Sequence, residues 1–103
     1  MDVPQGQELK YITYRNQMAK MMVESIIFHS KNHKFPYRAK QNIRFKMKIN
    51  RNGALLELKL LQSSLDPILD HLILESVKNV GLFNSFPKFI EKDTLEIFWE
   101  YLT

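Results

Sequence analysis

The sequence predicts an α+β fold with elements in the order α-β-β-α-β. Its sheet has three strands in the order 2-1-3, the first two strands form an antiparallel hairpin, and two helices pack against it. Three observations predict this. A long amino-terminal stretch repeats its apolar residues every three or four positions. Two alternating stretches flank an Asn-Gly pair. A second helical stretch then precedes a final alternating one.

Residues 1–7 are polar and are expected to be a flexible segment, with the domain spanning 8–103. From about Glu8 to Ser30, Tyr11, Tyr14, Met18, Met22 and Ile26 fall on one helical face. The methionines there are expected to form a deformable core stripe. Pro36 disfavours a helical Phe35, so the helix ends before it. From Asn42 to Ile49 the residues alternate: Ile43, Phe45, Met47 and Ile49 share one face, and Arg44, Lys46 and Lys48 the other. Asn50-Arg51-Asn52-Gly53 is the turn, a strong hairpin signal because Asn52 and Gly53 both tolerate positive φ. The second strand, about Ala54 to Leu61, is expected to turn Leu56, Leu58 and Leu60 to the core. Ser64 or Asp66 caps the second helix, Pro67 opens it, Leu69, Leu72, Ile73, Val77 and Val80 form its buried stripe, and Gly81 stops it. Leu82 to Ile90 is an aromatic connector. The last strand, Thr94 to Leu102, turns Leu95, Ile97, Trp99 and Tyr101 one way and Glu96, Phe98 and Glu100 the other. Placing it beside the first strand sets it parallel to the second, through a crossover. The expected core includes Phe45, Met47, Leu58, Leu69, Ile73 and Trp99.

Length and composition bound the rest. A chain of 103 residues, 45% hydrophobic and 25% charged, is one ordinary globular domain. Apolar runs reach three residues, as at Leu72-Ile73-Leu74, so none spans a bilayer. The start, Met1 to Gly6, has neither the basic nor the apolar region of a secretory signal. Cysteine is absent, which excludes disulfides and thiolate chemistry. The net charge of +4 is uneven: eight basic residues and no acid lie between Glu24 and Glu57, and residues 57–103 carry eight acids against four lysines. A basic run can serve nucleic acid. Here the expected role is structural, because the 2-1-3 order sets Arg44, Lys46 and Lys48 between Glu57 on one side and Glu96 and Glu100 on the other.

Enzymatic chemistry finds little support. His29 and His33 have helical spacing but no third metal ligand. Asp70, His71 and Ser63 or Ser64 are triad residue types, yet neighbours on a helix do not face each other. There is no phosphate-binding Gly loop. No enzyme, no cofactor and no metal are expected.

The second half resembles the C-terminal domain of the TonB family, the energy transducers of Gram-negative envelopes. The resemblance lies in an ordered set: Phe35-Pro36 with Ala39, the alternating strand to Ile49, Gly53, Ser63-Ser64, Leu69-Asp70, Leu74-Glu75, Val77, Phe83 and Phe86-Pro87. From Ser63 to Pro87 the spacing matches without a gap. Leu65 stands where the family has Gly. Leu72, Ile73 and Ser76 stand where it has Ala, Phe35 replaces Tyr, and a Gly near Asn42 is missing. The TolA-type domain shares the architecture and is the alternative branch.

The resemblance implies a periplasmic domain of an inner-membrane-anchored protein. A membrane helix and a Pro-rich linker would precede it, Met1 would be an added start, and inner-membrane motor proteins would act through that missing region. It implies that the TonB box of an outer-membrane transporter adds as a strand beside the last strand, so that proton-motive force drives import of iron–siderophore or similar ligands. The partner-binding residues so implied are Thr94, Leu95, Glu96, Ile97, Phe98, Trp99, Glu100, Tyr101 and Leu102, with Asn32, Phe35 and Pro36 as a second contact. A homodimer through the same edge is the competing use of that strand. A basic nucleic-acid-binding module is the rival of a different class. Against it, Phe98 is the one outward aromatic on a strand that would have to stack bases.

Overall fold

A computed structural model describes residues 7–31 and 37–103. The expected contacts Asn32, Phe35 and Pro36, and His33, lie outside the described residues. The elements are α1 (Gln7–Ser30), β1 (Ile43–Asn50), β2 (Leu55–Gln62), α2 (Pro67–Lys78) and β3 (Thr94–Tyr101). The sheet order is β2-β1-β3, with β1 antiparallel to both neighbours, so β2 and β3 run parallel to each other as expected.

Alternation on β1 buries Ile43, Phe45, Met47 and Ile49 on one face. Against that row lie Leu69, Leu72, Ile73 and Val77 of α2, Tyr14, Met18, Met22 and Ile26 of α1, Ile97 of β3, and Phe83, Phe86 and Ile90 of the connector, in one continuous core. Of the expected core residues, Leu58 and Trp99 are only partly buried. Trp99 packs on the core side of the sheet, and its indole N–H donates to Met47 Sδ at 3.0 Å. The two helices meet over small side chains. Ser76 is fully buried, its hydroxyl donates to Leu72 O at 2.6 Å, and Ser25 Oγ donates to Ser76 O at 2.5 Å. The other side of α1 leaves Leu9, Ile12, Val23, Ile27 and Phe28 exposed.

The turn and the α2 cap each take one of the residues the sequence offers, and two expectations, on β2 and at the end of α2, are corrected. The turn carries positive φ at Gly53 (91°) and not at Asn52. Gly53 N–H donates to Asn50 O, Asn50 N–H to Ala54 O, and Asn50 Oδ1 accepts from Asn52 and Ala54 N–H. This is a three-residue connection in which glycine alone takes the left-handed position. Gly53 also has no room for a side chain, since a Cβ there would lie 2.0 Å from Phe83 O. On β2, Leu55 and not Leu56 faces the core. Ile49 sits opposite Leu55 and Lys48 opposite Glu57, so Leu56 is an extra residue pushed outward. A second irregularity between Arg44 and Phe45 leaves Leu61 exposed in the same way. At α2, Asp66 is the cap and not Ser64, and the helix ends at Lys78, before Val80.

Ser63, Ser64 and Asp70 form a knot at the start of α2. Asp70 is 8% exposed and accepts hydrogen bonds from Ser63 Oγ, from Ser64 Oγ at 2.6 Å and from Ser64 N–H at 2.9 Å. Burial pushes its pKa up, but those three donors more than offset this and hold it below the ordinary 3.8. Asp66 is also held low, first by Arg38 N–H at 2.7 Å and then by the N–H groups of Leu69 and Ile68. The chain before β1 is thereby tied to the helix cap, and Lys40 N–H to Ser64 O at 2.8 Å adds a second tie. Between the serines and the cap, Leu65 is forced to a φ of 71° with its side chain 59% exposed.

Two outcomes follow from the knot. Leu65→Gly removes a left-handed leucine while giving up little burial. It is expected to stabilise the domain by about 1 kcal/mol, seen as a melting temperature higher by about 4–8 °C; an unchanged or lower value would show that the turn carries no strain. For Asp70 the sign follows from the lowered pKa. Its charge stabilises the fold above the ordinary carboxyl value, and that contribution is lost as pH falls from about 4 through the lower folded value. Asp70→Asn is expected to cost about 1.5–3 kcal/mol at neutral pH and to flatten the acid side of a urea-midpoint-against-pH curve, whereas a parallel wild-type curve would remove this role.

Candidate functional site

The candidate site is the outer edge of β3, and the hairpin turn sets where it begins. Arg51 N–H donates to Asp93 O at 2.9 Å, one step before the strand, and Arg51 O accepts from Phe86 N–H at 3.0 Å. The Arg51 guanidinium donates to Ile90 O at 3.0 Å, Glu91 O at 2.6 Å and Lys92 O at 2.9 Å, with Asp93 Oδ1 at 3.8 Å from its Nε. One rigid cationic fork thus gathers three successive carbonyls of an irregular segment that has no ladder of its own. In the sequence Arg51 reads only as a turn residue. No local pattern marks it, because its partners lie about forty residues away.

The bonding phase of β3 follows from that anchor. The Arg51 N–H bond to Asp93 O runs across the strands in the same register as the ladder, so the pairs two, four, six and eight residues on are the bonded ones. Leu95, Ile97, Trp99 and Tyr101 therefore turn their N–H and C=O groups to β1, and Glu96, Phe98 and Glu100 turn theirs outward. The eight pairs from Ile43↔Tyr101 to Asn50↔Thr94 run without a register shift. The opposite edge, β2, carries two irregularities. Bulges blunt an edge against further pairing, and a regular strand invites it.

The outward edge is not bare. Arg15 of α1 donates from Nη2 to Phe98 O at 3.2 Å, and its Cζ lies 4.6 Å from the centre of the Trp99 ring. This contact was not foreseen, because it joins residues 83 positions apart and Arg15 lies in no motif.

The expected residues of β3 lie together on this strand, except Leu102, which follows its end and is exposed. Ile97 is buried in the core and offers a partner no side chain. Phe98 is 59% exposed between Glu96 and Glu100. It borders a shallow recess of about 290 Å³ lined by Arg44, Leu61, Phe98 and Glu100. The basic face of β1 is partnered from β3: Arg44 Nε to Glu100 Oε2 is 2.8 Å and Lys46 Nζ to Glu96 Oε1 is 3.7 Å. These are exposed pairs, each worth about 0–1 kcal/mol. Glu57 faces Lys48 in register but makes no ion pair within 4.0 Å among the described residues. His29 Nδ1 lies 2.7 Å from Ser25 O, and no group of metal-ligating side chains occurs among the described residues. No described helix is long and apolar enough to cross a membrane.

Arg51→Lys keeps the charge and loses the fork. It is expected to cost about 1.5–3 kcal/mol and to speed hydrogen exchange at the Leu95 amide; unchanged exchange there would mean that pairing with β1 alone fixes the start of β3.

No family model matches the chain, and no curated protein matches it. Among solved structures it is similar to the NMR solution structure of Helicobacter pylori TonB-CTD (residues 179–285), with 20% identity, a TM-score of 0.49, and coverage of 99% of this chain and 97% of that chain. Identity and score are both too low to carry residue roles or function across, so the functional reading rests on the residues of this chain.

Proposed function

We propose that this chain is a TonB-like domain that does no chemistry and binds an extended peptide by strand addition to β3. The observation that carries the reading is the contrast between the two edges: β3 is regular over eight pairs, and β2 is interrupted twice. An added strand would take the outward groups of Glu96, Phe98 and Glu100, and main-chain bonds would supply most of the affinity. The TonB-like order of residues from Ser63 to Pro87 supports the partner class: a segment of an outer-membrane transporter, met in the periplasm. In this reading the domain passes on force derived from the proton-motive force for import of iron–siderophore or similar ligands, and a membrane-anchored region of a longer chain connects it to inner-membrane motor proteins. The ion pairs Arg44–Glu100 and Lys46–Glu96 favour this reading over a nucleic-acid module, because they occupy the cations that phosphates would need.

The test uses labelled domain titrated with extended segments of outer-membrane transporters from the same genome. Amide shifts are expected at Glu96, Phe98 and Glu100. Phe98→Ala should weaken binding by a few-fold. Phe98→Pro removes only an outward donor, which an edge strand tolerates, so it should stay folded and lose binding. Shifts confined to residues far from 94–102 would overturn the strand-addition reading.

A further inference from the structure

Arg15 is placed unlike the ion-paired cations of the fold. Lys20, Arg44, Lys46, Arg51 and Lys78 each have a carboxylate within 4.0 Å. Arg15 has none among the described residues. Its contacts are the Phe98 carbonyl at 3.2 Å and the face of Trp99 at 4.6 Å. A guanidinium has five N–H donors in a rigid fork, and among the described residues one acceptor meets them.

The Phe98 carbonyl is also the outward acceptor at the middle of β3. Any strand that adds there needs it for its own N–H. Addition therefore competes for the one acceptor Arg15 has among the described residues and leaves the guanidinium on Trp99, beside the newcomer. The side chains of an added strand alternate between two faces. One face meets Glu96, Phe98 and Glu100, where a further acid is repelled. The other meets Trp99 and Arg15, where a carboxylate can take two parallel N–H bonds. We propose that Arg15 is the specificity residue of the β3 edge: it occupies the central carbonyl in the free domain and engages an aspartate or glutamate of the added strand in the bound one. The proposal rests on the strand-addition reading and adds the chemistry of the ligand, an extended segment with an acid on its Arg15-facing side.

The test is a two-by-two comparison by NMR titration. One probe is an acetylated and amidated hexapeptide of alternating threonine and valine with one aspartate in place of a threonine; the other has asparagine there. Wild-type domain is expected to bind the aspartate peptide several-fold to about tenfold more tightly. Arg15→Gln, its fold checked by its amide spectrum, should bind the two peptides equally while keeping or improving affinity for the asparagine peptide, because the carbonyl is no longer occupied. Arg15→Lys, which keeps charge without the fork, should retain only part of the preference. If the β3 amides shift with both peptides but wild type does not discriminate, or if discrimination survives in Arg15→Gln, this proposal fails and strand addition stands. If neither peptide shifts the amides of Glu96, Phe98 and Glu100, strand addition fails and this proposal with it.

Discussion

The apolar row of β1 is the constraint on which the fold depends. Ile43, Phe45, Met47 and Ile49 are all buried, and β1 is the one strand bonded on both sides. A two-stranded hairpin is marginal in water, and a helix alone has nothing to bury against. The row gives α1, α2 and the connector one shared surface. The same alternation that faces these four residues inward faces Arg44, Lys46 and Lys48 outward, so packing and surface charge are set by a single register. A slip of one residue would exchange the two rows.

The central place of β1 leaves the sheet two edges, and they are built differently. On β2, Leu56 and Leu61 are each displaced from the ladder, which bends the strand and interrupts the row of bonding groups. On β3 the ladder is continuous, and its start is held by Arg51 at the tip of the hairpin. The turn therefore does two things. It reverses the chain between β1 and β2, and it grips the irregular segment that delivers β3. Gly53 permits both, because only a residue without a side chain allows the connector so close.

Electrostatics is divided by location. On the open face of the sheet the ion pairs are exposed and individually weak, and they neutralise a strand that would otherwise be strongly cationic. At the start of α2 the carboxylates do structural work. Asp66 takes the free N–H groups of the first turn, and Asp70 is wrapped by two serines inside the fold. Together they join the segment before β1, the end of β2 and the helix.

The element order, the buried row of β1, the stripe of α2, the Pro67 start and the sheet order are all legible from the residues. Each depends on a period or on a local preference that neighbouring residues carry. The partner charges were legible too, since Arg44 and Lys46 against Glu100 and Glu96 follow from strand order alone. The remaining features arise from contacts between distant parts of the chain. The bulges at Leu56 and Leu61 depend on how a twisted ladder closes against the core, and the run Leu55-Leu56 reads equally well in either phase. The left-handed Leu65 shows no glycine to betray it. Arg51 and Arg15 find carbonyls many residues away, and a carbonyl has no letter in the sequence. The edge of β3 is legible from the 2-1-3 order, but the guanidinium resting on it is not, because what covers an edge is set by where a distant helix crosses it.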